Sequence, residues 1–183
     1  MDILEAKELV IKAGHELLEA GLIVRTWGNI SCRVNEKQFV ITPSGMAYDV
    51  LTPDDIVLVN IADLSYEGDV KPSSEKGIHA SCYELRPNIN FVIHTHQKNA
   101  SVVSTLGLDI NNIDGEDAEI LGTDVPCASY GLPGQPKLRQ GVIGALERST
   151  SKAAIMKHHG AVCLGESYED AFAVANALER VCE

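Results

Sequence analysis

The sequence predicts an α/β fold in one domain spanning residues 1–183, with antiparallel pairing in part of its sheet. Three observations carry that prediction. Short apolar runs alternate with segments of helical period, the pattern of mixed α/β architectures. Two of the short runs are joined only by Asn35-Glu36-Lys37, a connection that reads as a hairpin. A chain of 183 residues supplies one sizeable core and does not demand a second.

Taken in order, Leu9, Val10, Ala13, Leu17 and Leu18 recur at helical spacing between Asp2 and about Ala20, and Gly21 closes this first helix. His15 lies among its polar residues and reads as a surface or helix-packing histidine. Strands follow at 29–34 and 38–41, then at 56–60. Thr26-Trp27-Gly28-Asn29 precedes the hairpin and Thr42-Pro43-Ser44-Gly45 follows it, so both loops fall at one end of the sheet. Lys71-Pro72-Ser73-Ser74-Glu75 opens a helix expected to begin near Ser74 and to end at Pro87, with Glu75 and His79 four apart on one face. The apolar strand Phe91-Val92-Ile93-His94 comes next, then a short helix at 99–106. The acidic run Asp109, Asp114, Glu116, Asp117 and Glu119 reads as a solvated loop. One or two strands are expected in 120–128, a loop in 129–136, a helix over 138–146, and strands at 153–156 and 161–164. The last helix starts at Ser167, with Asp170 at its capping-box position.

Composition removes several classes of function. A net charge of −11 argues against nucleic acid, because phosphate backbones are bound by concentrated lysine and arginine. It leaves small anions open, since backbone amides and hydroxyls can hold a phosphate without a global positive field. No apolar run approaches the roughly 20 residues of a membrane span. The first residues lack the basic and apolar regions of a signal peptide, which predicts a cytoplasmic location. Five scattered cysteines, none spaced Cys-x-x-Cys, fit reduced core thiols.

The chemistry concentrates in a few positions. His94 and His96 at i, i+2 on a strand end point to one side and can share a cation. A Lewis-acid site takes about three protein ligands and keeps one position open, and His159, in the turn His158-His159-Gly160, is the candidate for the third. Glu75 is placed to approach them because the connection from its helix to this strand is short. A glutamate in a first helical turn also complements the dipole with no catalytic role. Together with the Gly/Ser/Thr loops, these residues make the parts of a metal-assisted reaction on a small phosphorylated or carboxylated molecule, with Glu75 moving a proton. Zinc suits imidazole ligands, and Mn2+, Fe2+ or Co2+ fit the same spacing.

Gly28-Asn29-Ile30-Ser31, Thr42-Pro43-Ser44-Gly45, Pro72-Ser73-Ser74-Glu75, His94-Thr95-His96 and His159-Gly160 stand in an order and spacing that resemble the class II aldolase/adducin family. The likeness covers nearly the whole chain and is greatest to the L-fuculose-phosphate aldolase branch. The resemblance implies a three-layer α/β/α fold around a mostly antiparallel sheet, and a homotetramer with active sites at subunit interfaces. It implies Zn2+ on His94, His96 and His159, Glu75 as acid/base, and substrate phosphate held by Gly28, Asn29, Ser44, Gly45, Ser73 and Ser74. The implied reaction is reversible cleavage of a ketose 1-phosphate, such as L-fuculose 1-phosphate, to dihydroxyacetone phosphate and a small aldehyde through a metal-stabilised enediolate. Sugar-phosphate 4-epimerases of the family look like they carry aspartate where this chain has Glu75, which favours aldol cleavage, whereas Trp27 resembles the epimerase-like members. Dehydratases share the same ligands. Adducin-like interaction modules look like they lack the metal histidines, all three of which are present here. The chain departs from the fuculose-phosphate enzymes after the last helix, where their aromatic tail is absent. Asp117 from a neighbouring subunit, ahead of Glu119 or Tyr130, is then the candidate proton donor to the aldehyde.

Overall fold

The computed structural model describes residues 1–183. Helix α1 (Ile3–Glu19) starts where the Asp2 carboxylate accepts the free N–H groups of Leu4 and Glu5, and it stops at Gly21, whose φ of 71° no longer suits a helix. The strands are β1 (Asn29–Arg33), β2 (Gln38–Ile41), β3 (Val57–Asn60), β4 (Phe91–Thr95), β5 (Ile110–Asn111), β6 (Asp124–Val125), β7 (Cys127–Ala128), β8 (Ala153–Met156) and β9 (Gly160–Gly165). The remaining helices are α2 (Lys76–Leu85), α3 (Lys98–Ser104), α4 (Gly115–Leu121), α5 (Pro136–Glu147) and α6 (Tyr168–Val181). Seven strands form one sheet in the order β3-β2-β1-β4-β9-β8-β7, while β5 and β6 pair separately. Every pairing in the large sheet is antiparallel except β7 with β8.

Strand alternation divides the interior into two cores. Phe91 and Ile93 on β4, Ala161 and Cys163 on β9, and Ala153 and Ile155 on β8 face the layer containing α1 and α6. Their neighbours Val92, Val162, Leu164, Ala154 and Met156 face α2 and α5. Both faces of the sheet are therefore apolar and covered, which makes the fold a three-layer α/β/α sandwich. β4 is buried along its whole length at the middle of the sheet. Asn29 on β1 and Val162 on β9 flank His94. His94 shares the parity of Val92, so it emerges on the α2/α5 side.

Three expectations need correction. The acidic run is not a loop throughout: residues 115–121 form α4 and Ile110–Asn111 a short strand. Glu116 and Asp117 fall in the first turn of α4, where the helix dipole favours negative charge, and Leu121 anchors the helix in the core. Ile120 accordingly belongs to α4, and the strands expected in 120–128 shrink to β6 and β7. Helix α2 begins at Lys76 rather than near Ser74, and Glu75 is its N-cap residue.

Candidate metal centre

The end of β4 carries the first two imidazoles out of the core. His94 is 1% exposed and donates from Nδ1 to the Ala161 carbonyl at 2.8 Å, which leaves the Nε2 lone pair free. Nε2 of His96 lies 3.0 Å away from it. The three-residue turn between β8 and β9 supplies His159. Left-handed backbone at His158 (φ 58°) turns the chain so that His158 is exposed while the His159 side chain is enclosed. One ligand nitrogen from each of His94, His96 and His159 lies within 4.8 Å of the other two.

Two glycines permit this approach. A Cβ on Gly28, at φ 92°, would lie 2.5 Å from the His94 carbonyl oxygen, and a Cβ on Gly160 would strike the Thr95 carbonyl oxygen and stand 3.5 Å from the His94 ring. Gly160→Ala is therefore expected to push the His159 turn away from β4. The expected results are about 1–3 kcal/mol lower stability in urea unfolding and a weaker metal affinity in chelator competition.

Glu75 completes the cluster. Its side chain is 7% exposed, with Oε2 3.3 Å from His94 Nε2 and Oε1 3.5 Å from His159 Nε2. Oε2 accepts from Asn29 Nδ2 at 2.9 Å, whereas Oε1 is buried with no hydrogen-bond partner. A buried carboxylate oxygen without a donor is costly, and a cation among three imidazole lone pairs would satisfy it. The spacing fits. Tetrahedral zinc with bonds of about 2.0–2.1 Å places its ligand atoms about 3.3 Å apart. Burial works to raise the Glu75 pKa, but the neighbouring His94 ring, the hydrogen bond from the Asn29 amide and the His159 ring outweigh it, and the net direction is down. Burial pushes His96 down to about 3 and His159 to about 4, which keeps both imidazoles neutral and able to ligate.

All six residues expected at a phosphate meet in one place. Gly28, Asn29, Ser44, Gly45, Ser73 and Ser74 line a cavity of about 410 Å³ together with Glu75, His96 and His159. Backbone bonds from Ser73 to Thr42 and from Ser44 to Lys71 tie two of the three loops together. No lysine or arginine lines this cavity, so an anion there would be held by amides and hydroxyls. Trp27 also forms part of the wall, 56% exposed, with its ring 6.0 Å from that of His96. Asp117 is not brought to the cluster within the chain: it sits on α4, paired with Arg180 of α6 at 2.5 Å. Tyr130 lines a different cleft and packs beside His158.

Sequence reasoning gave no role to His79, although its four-residue spacing from Glu75 was visible. It is fully buried, with Nε2 2.5 Å from Asn29 Oδ1 and Nδ1 2.6 Å from Ser31 Oγ. Burial depresses its pKa from 6.5 to about 3. The unfolded chain therefore takes up a proton that the folded chain refuses. This contribution to stability is whole above about pH 6.5 and is lost as pH falls toward 3, by about 1.4 kcal/mol per unit. His79→Gln is expected to flatten that part of the metal-free protein's stability profile, as measured by urea unfolding at stepped pH.

The fold and site together define a class: an α/β/α sandwich whose central strand ends in a three-histidine cluster able to hold a metal ion, with a carboxylate and an open cavity beside it. The chain belongs to the class II aldolase/adducin family, because residues 8–183 match the family described as Class II Aldolase and Adducin N-terminal domain. It is 36% identical over 184 residues to a 5-methylthioribulose-1-phosphate/5-deoxyribulose-1-phosphate aldolase of Escherichia coli O45:K1, covering 100% of this chain and 84% of that one. It is 32% identical over 175 residues to a 5-deoxy-D-ribulose 1-phosphate aldolase of Bacillus thuringiensis serovar kurstaki, covering 94% of this chain and 80% of the relative. Among solved structures, an L-fuculose 1-phosphate aldolase superposes with a TM-score of 0.91 at 29% identity, over 97% of this chain and 83% of that one. No helix is long and apolar enough to cross a membrane.

Proposed function

We propose that the protein is a zinc-dependent aldolase that cleaves a ketose 1-phosphate to dihydroxyacetone phosphate and a small aldehyde. The observation that carries this reading is the buried, unpartnered Oε1 of Glu75, 3.5 Å from Nε2 of His159 in the three-histidine cluster, beside a cavity lined by neutral phosphate donors. When bound, the cation supplies Lewis acidity toward the ketose oxygens. Gly28, Asn29, Ser44, Gly45, Ser73 and Ser74 hold the phosphate end, and the Asn29 side chain also holds Glu75 in place. As the C3–C4 bond breaks, the C4 hydroxyl gives up a proton and C3 receives one. Glu75 handles the proton at C3.

The names of the two relatives move the substrate away from L-fuculose 1-phosphate and toward pentulose 1-phosphates lacking the 5-hydroxyl. Trp27 and Pro133 in the cavity wall support that choice, because they offer apolar surface to a methyl or thioether terminus. The protein works in the cytoplasm as a homotetramer whose active sites lie at subunit interfaces. Support for assembly comes from Val102, Leu106, Leu108 and Leu132, each at least 60% exposed.

Asp117 of a neighbouring copy takes the C4 hydroxyl proton in cleavage and returns it to the aldehyde oxygen in the reverse direction. Asp117→Asn is expected to lower kcat about 10- to 100-fold without loss of bound metal, and full turnover at every pH would remove it from the mechanism. The test of the reaction itself is release of dihydroxyacetone phosphate from 5-deoxyribulose, 5-methylthioribulose and L-fuculose 1-phosphates, with and without chelator. Chelator-sensitive release is the expected result. No release from metal-loaded protein would transfer the site to epimerase or dehydratase chemistry.

A further inference from the structure

Strand β1 and helix α2 are joined by a polar ladder that runs out of the interior to the metal centre. Alternate residues of a strand share a face at about 6.8 Å per step, and every fourth residue of a helix does so at about 6.0 Å. The two repeats stay in register over several steps. β1 contributes Asn29, Ser31 and Arg33, while the cap and first turns of α2 contribute Glu75, His79 and Tyr83. Asn29 bridges Glu75 and His79, and Ser31 bridges His79 and Tyr83, whose hydroxyl is 2.7 Å from Ser31 Oγ. Arg33 donates to the Tyr83 carbonyl at 2.7 Å and lies over the Tyr83 ring. Asn29, Ser31, Glu75, His79 and Tyr83 are all buried, so their mutual hydrogen bonds carry the cost of taking these polar groups out of bulk water.

The proton positions along this ladder follow from its outer end. An ionised carboxylate only accepts, so Asn29 must turn its amide NH2 toward Glu75 and its Oδ1 toward His79. His79 Nε2 must then carry the proton, which leaves Nδ1 bare. The Ser31 hydroxyl donates to Nδ1 and the Tyr83 hydroxyl donates to Ser31. The opposite tautomer would set the Nε2 lone pair against the Asn29 oxygen, or flip Asn29 and set that oxygen against the carboxylate. Asn29 matters to Glu75 because it is the sole hydrogen-bond donor to the carboxylate.

We infer that His79 is a positioning residue: its Nε2–H fixes the Asn29 amide, and the amide fixes the Glu75 carboxylate at the metal centre. The inference rests on the reading of Glu75 as the proton carrier. Burial supports it by keeping the imidazole neutral, as the ladder requires.

The experiment combines nitrogen NMR of zinc-loaded protein labelled at histidine and asparagine with kinetics of His79→Gln and His79→Ala. Gln places an N–H close to where Nε2 stood, whereas Ala places nothing there. The wild type is expected to show protonated Nε2 and bare Nδ1 at His79, with the Asn29 side-chain amide protected from exchange. His79→Ala is expected to lose that protection and about 10- to 100-fold in kcat, with KM within about threefold and zinc content unchanged. His79→Gln is expected to recover most of both. A protonated Nδ1 in the wild type would overturn the inference even if the alanine variant failed to fold. So would a folded His79→Gln as slow as the alanine variant, or an alanine variant with wild-type kcat. Should the wild type cleave no ketose 1-phosphate, the proposed reaction fails by itself, and the tautomer and the Asn29 exchange decide the positioning role.

Discussion

His159→Ala is expected to release the bound metal and to lower cleavage by about a thousandfold or more. The side chain enters from a turn between β8 and β9, so its removal leaves the central strand and both cores untouched. What would be lost is one of the three proposed nitrogen ligands, leaving His94 and His96 3.0 Å apart with Glu75 beside His94. Two imidazoles and one carboxylate hold a cation far less tightly than the full set. The charge stabilisation that disappears amounts to several kcal/mol, at about 1.4 kcal/mol per factor of ten in rate. The measurement pairs elemental analysis of metal per chain with dihydroxyacetone phosphate release. A variant that keeps metal and rate together would sink the site. His94→Ala makes the same point less cleanly, because His94 is 1% exposed in the central strand and its loss leaves a cavity there.

Glu75→Gln should separate chemistry from metal binding. The amide has the shape of the carboxylate and can still present an oxygen to Asn29 Nδ2, while the three imidazoles continue to hold the cation. It cannot move a proton. The expected outcome is a fall of about 10²- to 10⁴-fold in kcat with metal content near that of the wild type and KM changed by less than about threefold. Loss of metal in this variant would make Glu75 a ligand first and a base second. Undiminished turnover would move the proton transfer to another group, and with it the meaning of the β1–α2 ladder.

The periodic parts of the fold were legible because burial imposes them directly. Both faces of β4 are covered, so Phe91, Val92 and Ile93 had to be apolar, and α1 and α6 needed an apolar stripe with a capping residue ahead of it. The acidic stretch misled because charge at the start of a helix and charge in a solvated loop look alike along the chain. Only the packing of Leu121 and the Asp117–Arg180 pair on α6 make residues 115–121 a helix. The start of α2 was ambiguous because Ser73 and Ser74 both suit a helix start; in the fold Ser73 is tied to Thr42, its Oγ accepts the Glu75 N–H, and the helix begins at Lys76.

By itself the sequence determined which residues could take part: the His94/His96 pair through strand alternation, the serine and glycine loops through their turn chemistry, and the α/β class through hydrophobic period. Those are local properties, set within a few residues by backbone geometry. Tertiary structure decided how they meet. It brought His159 across more than sixty residues to His94 on glycines that tolerate the approach, and it set three loops around one cavity. It also gave His79 a partner on β1 whose two-residue repeat matches the four-residue repeat of α2. Each of those contacts depends on closing long loops against a packed sheet, and the free energy for that closure comes from the two apolar cores, which no short stretch of the chain contains.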